Sequence, residues 1–175
     1  ELTIYINGYC NRDCSYCSAY AQQVKCCSKH LNTSVKEELP LSTIRDLLSS
    51  YTNGKINIAG GNIFLYSEWE LLKNILESYV HPVSLWVQYE NLPELNQIPK
   101  NAHLHIIVTF PVEEQKFEQT IEKLKKLSYQ LQFLITSEAE YEKAEAFAAK
   151  SGVSNHVIMP VFNGNNEDFF KENVF

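Results

Sequence analysis

The sequence predicts an α/β fold with six parallel strands, and two features of the chain support this prediction. Six short runs rich in β-branched and aromatic residues recur along it, and amphipathic segments with helical spacing separate most of them. A helix between two strands returns the chain so that the next strand starts in the same direction. The pattern is compatible with two architectures, an open doubly wound sheet and a partial barrel.

The predicted strands are short apolar runs that end in turn residues. They cover residues 2–6, 55–59, 83–89, 103–110, 131–136 and 156–162. Ile106, Ile107 and Val108 follow one another without a polar residue, as do Phe133, Leu134 and Ile135. Such runs are typical of parallel strands that are buried on both faces. Ligands of either α/β architecture bind at the carboxyl ends of the strands.

Four helices are predicted between these strands, and a shorter one is expected at 18–25. The first covers 42–51 with Ser42 as its N-cap, and the second begins with a capping box of Ser67 and Glu70. The third covers 113–128, and the fourth begins with a capping box of Ser137 and Glu140 and ends before Gly152.

Length, charge and hydropathy limit the domain count, the partners and the location that we expect. The 175 residues can bury one core, so we expect a single domain, 1–175, and the missing initiator Met suggests a fragment of a longer chain. The net charge of −6 argues against a nucleic-acid partner. No apolar run reaches the length of a bilayer span and no signal peptide is recognisable, so we expect a cytoplasmic protein without a membrane partner.

Three of the five cysteines, Cys10, Cys14 and Cys17, lie within eight residues directly after the first strand. Their spacing is typical of metal ligands in a reducing compartment. Structural zinc would need a fourth ligand, for which Cys26, Cys27 and His30 are candidates. A 4Fe-4S cluster can instead take three thiolates and leave one iron open to another ligand.

The motif CxxxCxxC, with Tyr16 before its last cysteine, resembles the signature of the radical S-adenosylmethionine (radical SAM) family. The resemblance covers nearly the whole chain and implies a partial (β/α)6 barrel of parallel strands with outer helices. It implies that Cys10, Cys14 and Cys17 bind a 4Fe-4S cluster whose fourth iron is chelated by SAM. The implied reaction is reductive cleavage of SAM to a 5'-deoxyadenosyl radical that abstracts hydrogen from a substrate.

The same resemblance implies a set of SAM contacts. Gly60 and Gly61 lie where the family carries its GGEP motif, and Asn62 and Ile63 replace the Glu and Pro of that motif. Glycine at these positions lets the backbone approach the SAM amino group closely. The residues implied to contact SAM are Tyr16 at the adenine, Gly60, Gly61 and Asn62 at the amino group, Thr109 at the ribose, and Gln88 and Met159 at the ribose and adenine.

Within the family, the cysteine loop (residues 10–17) and the glycine pair (Gly60 and Gly61) are most similar to those of peptide-modifying maturases. This implies a peptide substrate, with a small molecule as the alternative, and an electron donor such as flavodoxin or ferredoxin. Two other functions fit the sequence. One is a catalytically degenerate radical SAM domain that serves as a binding or scaffold partner in peptide modification, and the other is an α/β module stabilised by zinc.

Overall fold

The computed structural model describes residues 1–10 and 38–161, which contain six strands and four α-helices. The strands are β1 (Leu2–Tyr5), β2 (Ile56–Ala59), β3 (Val83–Gln88), β4 (Ala102–Thr109), β5 (Ser128–Ile135) and β6 (His156–Pro160). The helices are α1 (Leu41–Ser50), α2 (Trp69–Ser78), α3 (Glu114–Leu124) and α4 (Glu138–Lys150). All six predicted strands and the four longer helices are confirmed. The helix predicted at 18–25 lies outside the described residues.

The six strands form one parallel sheet in the order β1-β2-β3-β4-β5-β6. In register, Leu2 lies beside Ile56, and Ile56 lies beside Val83. A doubly wound sheet reverses its strand order at a switch point, where its ligand binds. Since every strand here follows its predecessor in both sequence and space, the order contains no such reversal.

The chain divides into two compact units, Glu1–Leu104 and His105–Phe175, with the division inside β4. In the first unit, the core is formed by one face of the strands and the apolar faces of two helices. Its fully buried side chains include Ile56, Ile58 and Leu85 on strands, Ile44 on α1, and Leu72 and Leu76 on α2. Trp69 at the start of α2 is also buried, and its indole N–H donates to the carbonyl oxygen of Gln97 at 2.9 Å.

In the second unit, an aromatic cluster fills the core between β5 and the helices α3 and α4. Phe117 and Phe133 are fully buried, with ring centroids 6.1 Å apart, and Phe147 meets Phe117 edge-on at 5.0 Å. Such edge-to-face contacts add to the free energy gained from burying the rings. This cluster fixes α3 and α4 against β5.

The prediction that strands are buried on both faces holds for β2, whose four residues are all buried, but was wrong for most of β4 and β5. Burial alternates along β4, where Ile106 and Val108 are buried but Ile107 is only half-buried. The same alternation runs through β5, where Leu134 is more exposed than its neighbours. Side chains of a strand point alternately to its two faces, and an uninterrupted apolar run does not show which face is the more buried one.

Two predicted helix starts were tested by hydrogen bonds at the caps. Ser137 is the N-cap of α4, and its side chain accepts from the Glu140 N–H, as expected. The predicted cap of α1 was wrong, because α1 begins at Leu41 after Pro40, so Ser42 is already inside the helix. A search of residues 1–10 and 38–161 finds no helix long and apolar enough to cross a membrane.

The core of the first unit can be tested with two neighbouring leucines of α2. Leu72 is fully buried, whereas Leu71 is 51% exposed. We expect Leu72→Ala to lower the free energy of unfolding by about 2–5 kcal/mol, because it removes buried methyl groups and leaves a cavity. Leu71→Ala should change it by less than about 0.5 kcal/mol. Urea unfolding followed by tryptophan fluorescence measures both, and equal losses would contradict the assigned burial.

His103, the second residue of β4, makes stability depend on pH. Burial, and secondarily the charge of Lys55, lowers the pKa of His103 below its usual value of 6.5. The unfolded chain therefore takes up this proton at a higher pH than the folded chain, so stability is full above about pH 6.5 and falls as the pH is lowered. We expect His103→Asn to flatten this part of the stability curve in urea unfolding. Parallel curves for the wild type and the variant would contradict the shift.

Candidate functional site

The chain segments that follow β1 and β2 lie side by side, joined by backbone hydrogen bonds. The Gly61 N–H donates to the Asn7 carbonyl oxygen at 3.0 Å, and the Asn62 N–H donates to the Tyr9 carbonyl oxygen at 2.7 Å. Pairing between the two strands thus continues past their carboxyl ends. As a result Cys10, a half-buried thiol, lies beside Gly61.

Both glycines are required by this close approach. A Cβ at residue 60 would lie 2.5 Å from the Asn7 side-chain oxygen and 2.7 Å from the Asn7 carbonyl oxygen. A Cβ at residue 61 would overlap the Tyr9 carbonyl oxygen and lie 3.1 Å from the Cys10 Cβ. Since most of these neighbours are backbone atoms, they cannot rotate away. The cysteine loop therefore explains the glycine pair without a ligand, and the SAM contact stays a prediction.

The Asn7 side chain adds a hydrogen bond to this backbone contact. It is 5% exposed, and its side-chain N–H donates to the Asn62 carbonyl oxygen at 2.8 Å. A buried amide stabilises the fold only when its polar atoms are hydrogen-bonded. Its side-chain oxygen is also buried and accepts no hydrogen bond from the part of the chain that the structure describes.

The two residues that depart from the GGEP pattern both have local roles. Asn62 is 7% exposed, and its side-chain oxygen accepts from the Phe64 N–H at 3.1 Å. Asn62 is thereby the N-cap of a short 3-10 helix, Ile63–Leu65. Ile63 is fully buried. The replacements are thus part of the fold, with one as a helix cap and the other in the core.

The chain returns to the ends of β1 and β2 at Glu38, for which the sequence predicted no role. Glu38 bridges Asn7 in an antiparallel pair, and the Leu39 N–H donates to the Ile6 carbonyl oxygen at 2.8 Å. The Glu38 carboxylate accepts from both the N–H, at 3.0 Å, and the hydroxyl of Ser67. Both ends of the segment that holds the cysteines are therefore bound next to the glycine pair.

Ser67 therefore does not cap α2. The predicted capping box of Ser67 and Glu70 was wrong, because α2 begins at Trp69 and its N-cap residue is Glu68. Beside this contact the Tyr66 hydroxyl donates to the Leu39 carbonyl oxygen at 2.8 Å. Burial, and then the nearby carboxylates of Glu68 and Glu38, raises the pKa of Tyr66, so the phenol keeps the proton that it donates. No local sequence pattern could have predicted a partner 29 residues away.

The other predicted SAM residues among those that the structure describes lie on β3, β4 and β6. Gln88 is the half-buried last residue of β3. Thr109 ends β4 in the second unit and is buried. Met159 on β6 is 42% exposed, and its sulfur accepts from the Gln132 side-chain N–H at 2.7 Å.

The predicted ligand set is only partly within the described residues. Tyr16, Cys14 and Cys17 lie outside them, whereas Cys10 is brought together with Gly60, Gly61 and Asn62. Among residues 1–10 and 38–161, no group of three or more His, Cys, Asp or Glu side chains is placed to hold a metal ion. The prediction of a 4Fe-4S cluster therefore depends on the CxxxCxxC spacing in the sequence, and Cys10 is the one predicted ligand among the described residues.

Comparison with known proteins adds no assignment to this site. No family model matches the chain, and no curated protein matches it either.

The contact between the two loops can be tested by adding a single methyl group. We expect Gly61→Ala to lower the free energy of unfolding by about 2–4 kcal/mol, because it forces the Tyr9 carbonyl away and breaks the bond to Asn62. Gly54→Ala is the matched control. Gly54 has a φ of +110°, and its new Cβ would meet only the mobile end of the Tyr51 side chain.

The control variant should lose about 1–2 kcal/mol, the cost of a left-handed backbone at a residue with a Cβ. Urea unfolding followed by tryptophan fluorescence compares the two variants. If Gly61→Ala were no less stable than Gly54→Ala, the close approach of the loops would be contradicted.

Proposed function

We propose that the chain is the core of a radical SAM enzyme that acts on a peptide substrate. The observation that supports this proposal most directly is the packing of the Cys10 loop on the Gly60-Gly61 segment at the carboxyl ends of the first two strands. Ligands of parallel α/β folds bind at this edge. A cysteine thiol and two residues without side chains are thus adjacent where a cofactor is expected.

The donor set fits an iron-sulfur cluster. Cys10, Cys14 and Cys17 would bind three irons of a 4Fe-4S cluster, and their soft thiolates suit this metal. Bound there with SAM, the cluster would supply the electron for reductive cleavage to a 5'-deoxyadenosyl radical, which takes hydrogen from the substrate. An electron donor such as flavodoxin or ferredoxin would be the partner.

The protein's own contribution would be to bind and orient SAM. An ammonium group needs acceptors, so we assign the SAM amino group to the carbonyl oxygens of Gly60 and Gly61. The N–H groups of Gly61 and Asn62 already donate to the carbonyl oxygens of Asn7 and Tyr9. Contacts of the adenine and ribose are assigned to Tyr16, Gln88, Thr109 and Met159. Of these four, Met159 would have to share its sulfur with Gln132.

We also propose that the sheet curves into a partial (β/α)6 barrel with outer helices. Right-handed crossovers between strands in sequential order bring every helix to the same side of the sheet. Several strands are more buried on one face than on the other, as expected where helices cover only one face. In β1, for example, Ile4 is buried, whereas Tyr5 on the opposite face is 70% exposed.

A second candidate function is a catalytically degenerate scaffold domain. It is favoured by the replacement of Glu and Pro at residues 62 and 63, where the Asn62 side chain binds the backbone of its own loop. This function predicts that the cysteines bind metal without SAM cleavage.

Anaerobic reconstitution with iron and sulfide, followed by reduction in the presence of SAM, tests the proposal. We expect one 4Fe-4S cluster per chain and release of 5'-deoxyadenosine. Cys10→Ala and Cys14→Ala should lose the cluster, because each removes one of its three thiolate ligands. The matched controls Cys26→Ala and Cys27→Ala should keep it.

The outcomes separate the candidate functions. A fully loaded cluster that yields no 5'-deoxyadenosine would favour the scaffold domain over the enzyme. Stoichiometric zinc with no iron uptake would instead favour a zinc-stabilised module. Unchanged iron content in Cys14→Ala would rule out the assigned ligand set.

A further inference from the structure

Asn7 is a buried polar residue three positions before Cys10. Its carbonyl oxygen accepts from the Gly61 N–H at 3.0 Å, and its side-chain N–H donates to the Asn62 carbonyl oxygen at 2.8 Å. Asn7 thus makes two hydrogen bonds to the backbone of the segment after β2, one to Gly61 and one to Asn62. Between Asn7 and Cys10, the Tyr9 carbonyl oxygen accepts from the Asn62 N–H.

An apolar side chain would fill this position at lower cost than an amide. Burying an amide is unfavourable unless it is hydrogen-bonded, and the side-chain oxygen of Asn7 accepts no bond within residues 1–10 and 38–161. The same oxygen takes up the space that a Cβ at residue 60 would need. The side-chain bond to Asn62 is therefore what an asparagine adds at this position.

We propose that Asn7 is a positioning residue for Cys10. It fixes the start of the cysteine loop to the Gly60–Asn62 segment, so that the Cys10 thiol is held in place before any metal binds. This inference rests on the proposed function only in taking Cys10 as a metal ligand. It holds equally for iron-sulfur and for zinc, because it concerns the loop and not the metal.

The physical effect is preorganisation. A loop that is already ordered loses less conformational entropy when its thiolate binds a metal, so the metal binds more tightly. Removal of a residue that orients a ligand typically weakens metal affinity about 10- to 100-fold. We expect a weakening in this range when the Asn7 side chain is removed.

Titration of the reduced, metal-free protein with Co²⁺ under anaerobic conditions measures this effect through thiolate-to-cobalt absorbance. Asn7→Ala should raise the dissociation constant about 10- to 100-fold. Asn7→Asp keeps the size of the side chain but turns an oxygen toward the Asn62 carbonyl, so it should lose affinity in the same range. Far-UV circular dichroism confirms that each variant is folded.

Asn57→Ala is the matched control. Asn57 is also 5% exposed, lies on β2, and donates to the side chains of Glu1 at 2.7 Å and Thr3 at 3.2 Å. It should lose stability in urea unfolding but bind Co²⁺ as tightly as the wild type. An equal loss of Co²⁺ affinity in Asn57→Ala would overturn the inference, because the effect would then follow stability alone.

A second measurement needs no variant. In the metal-free wild type, the Gly61 and Asn62 amides should exchange slowly with deuterium, since they donate to the Asn7 and Tyr9 carbonyl oxygens. Fast exchange of both amides would overturn the inference, as would wild-type Co²⁺ affinity in both Asn7 variants. A wild type that binds Co²⁺ through its cysteines but never forms 5'-deoxyadenosine would contradict the proposed enzyme and leave the role of Asn7 intact.

Discussion

The contact between the ends of β1 and β2 is the constraint on which the candidate site depends. Two backbone hydrogen bonds and one amide side chain join Asn7 and Tyr9 to Gly61 and Asn62, and no side chain fits at residues 60 and 61. Backbone groups buried at such a contact must all be paired, which leaves little freedom in how the loops meet. The position of Cys10 follows from this pairing.

Much of the fold could be predicted from the sequence because strand and helix periods are local. Six apolar runs gave six strands, and the Ser137 and Glu140 pair correctly marked the start of α4. Burial on both faces was wrongly expected for β4 and β5, because an apolar residue such as Ile107 can occupy the less buried face of a strand. Composition does not distinguish a buried leucine or isoleucine from a half-buried one.

The site was less predictable because its interactions are distant in sequence. Cys10 and the glycine pair each follow a predicted strand, and the pairing of these two strands brings them together. Asn7 bonds across 55 residues and Glu38 across 29, so neither has a local signature. The S-x-x-E pattern of Ser67 and Glu70 wrongly predicted a helix cap, since the Ser67 hydroxyl donates to the distant Glu38 carboxylate.

Asn62 and Ile63, at the positions where the resembled motif has Glu and Pro, form the start of a short helix. A helix start needs an acceptor side chain at the N-cap and a residue with a helical φ after it. Proline presets that angle at the first helical position, and asparagine is among the strongest N-caps. In this chain the cap is Asn62, and the first helical residue gains burial instead of a fixed φ. Asn62 and Ile63 therefore form the turn that follows the glycine pair, and this turn is stabilised by the chain's own contacts.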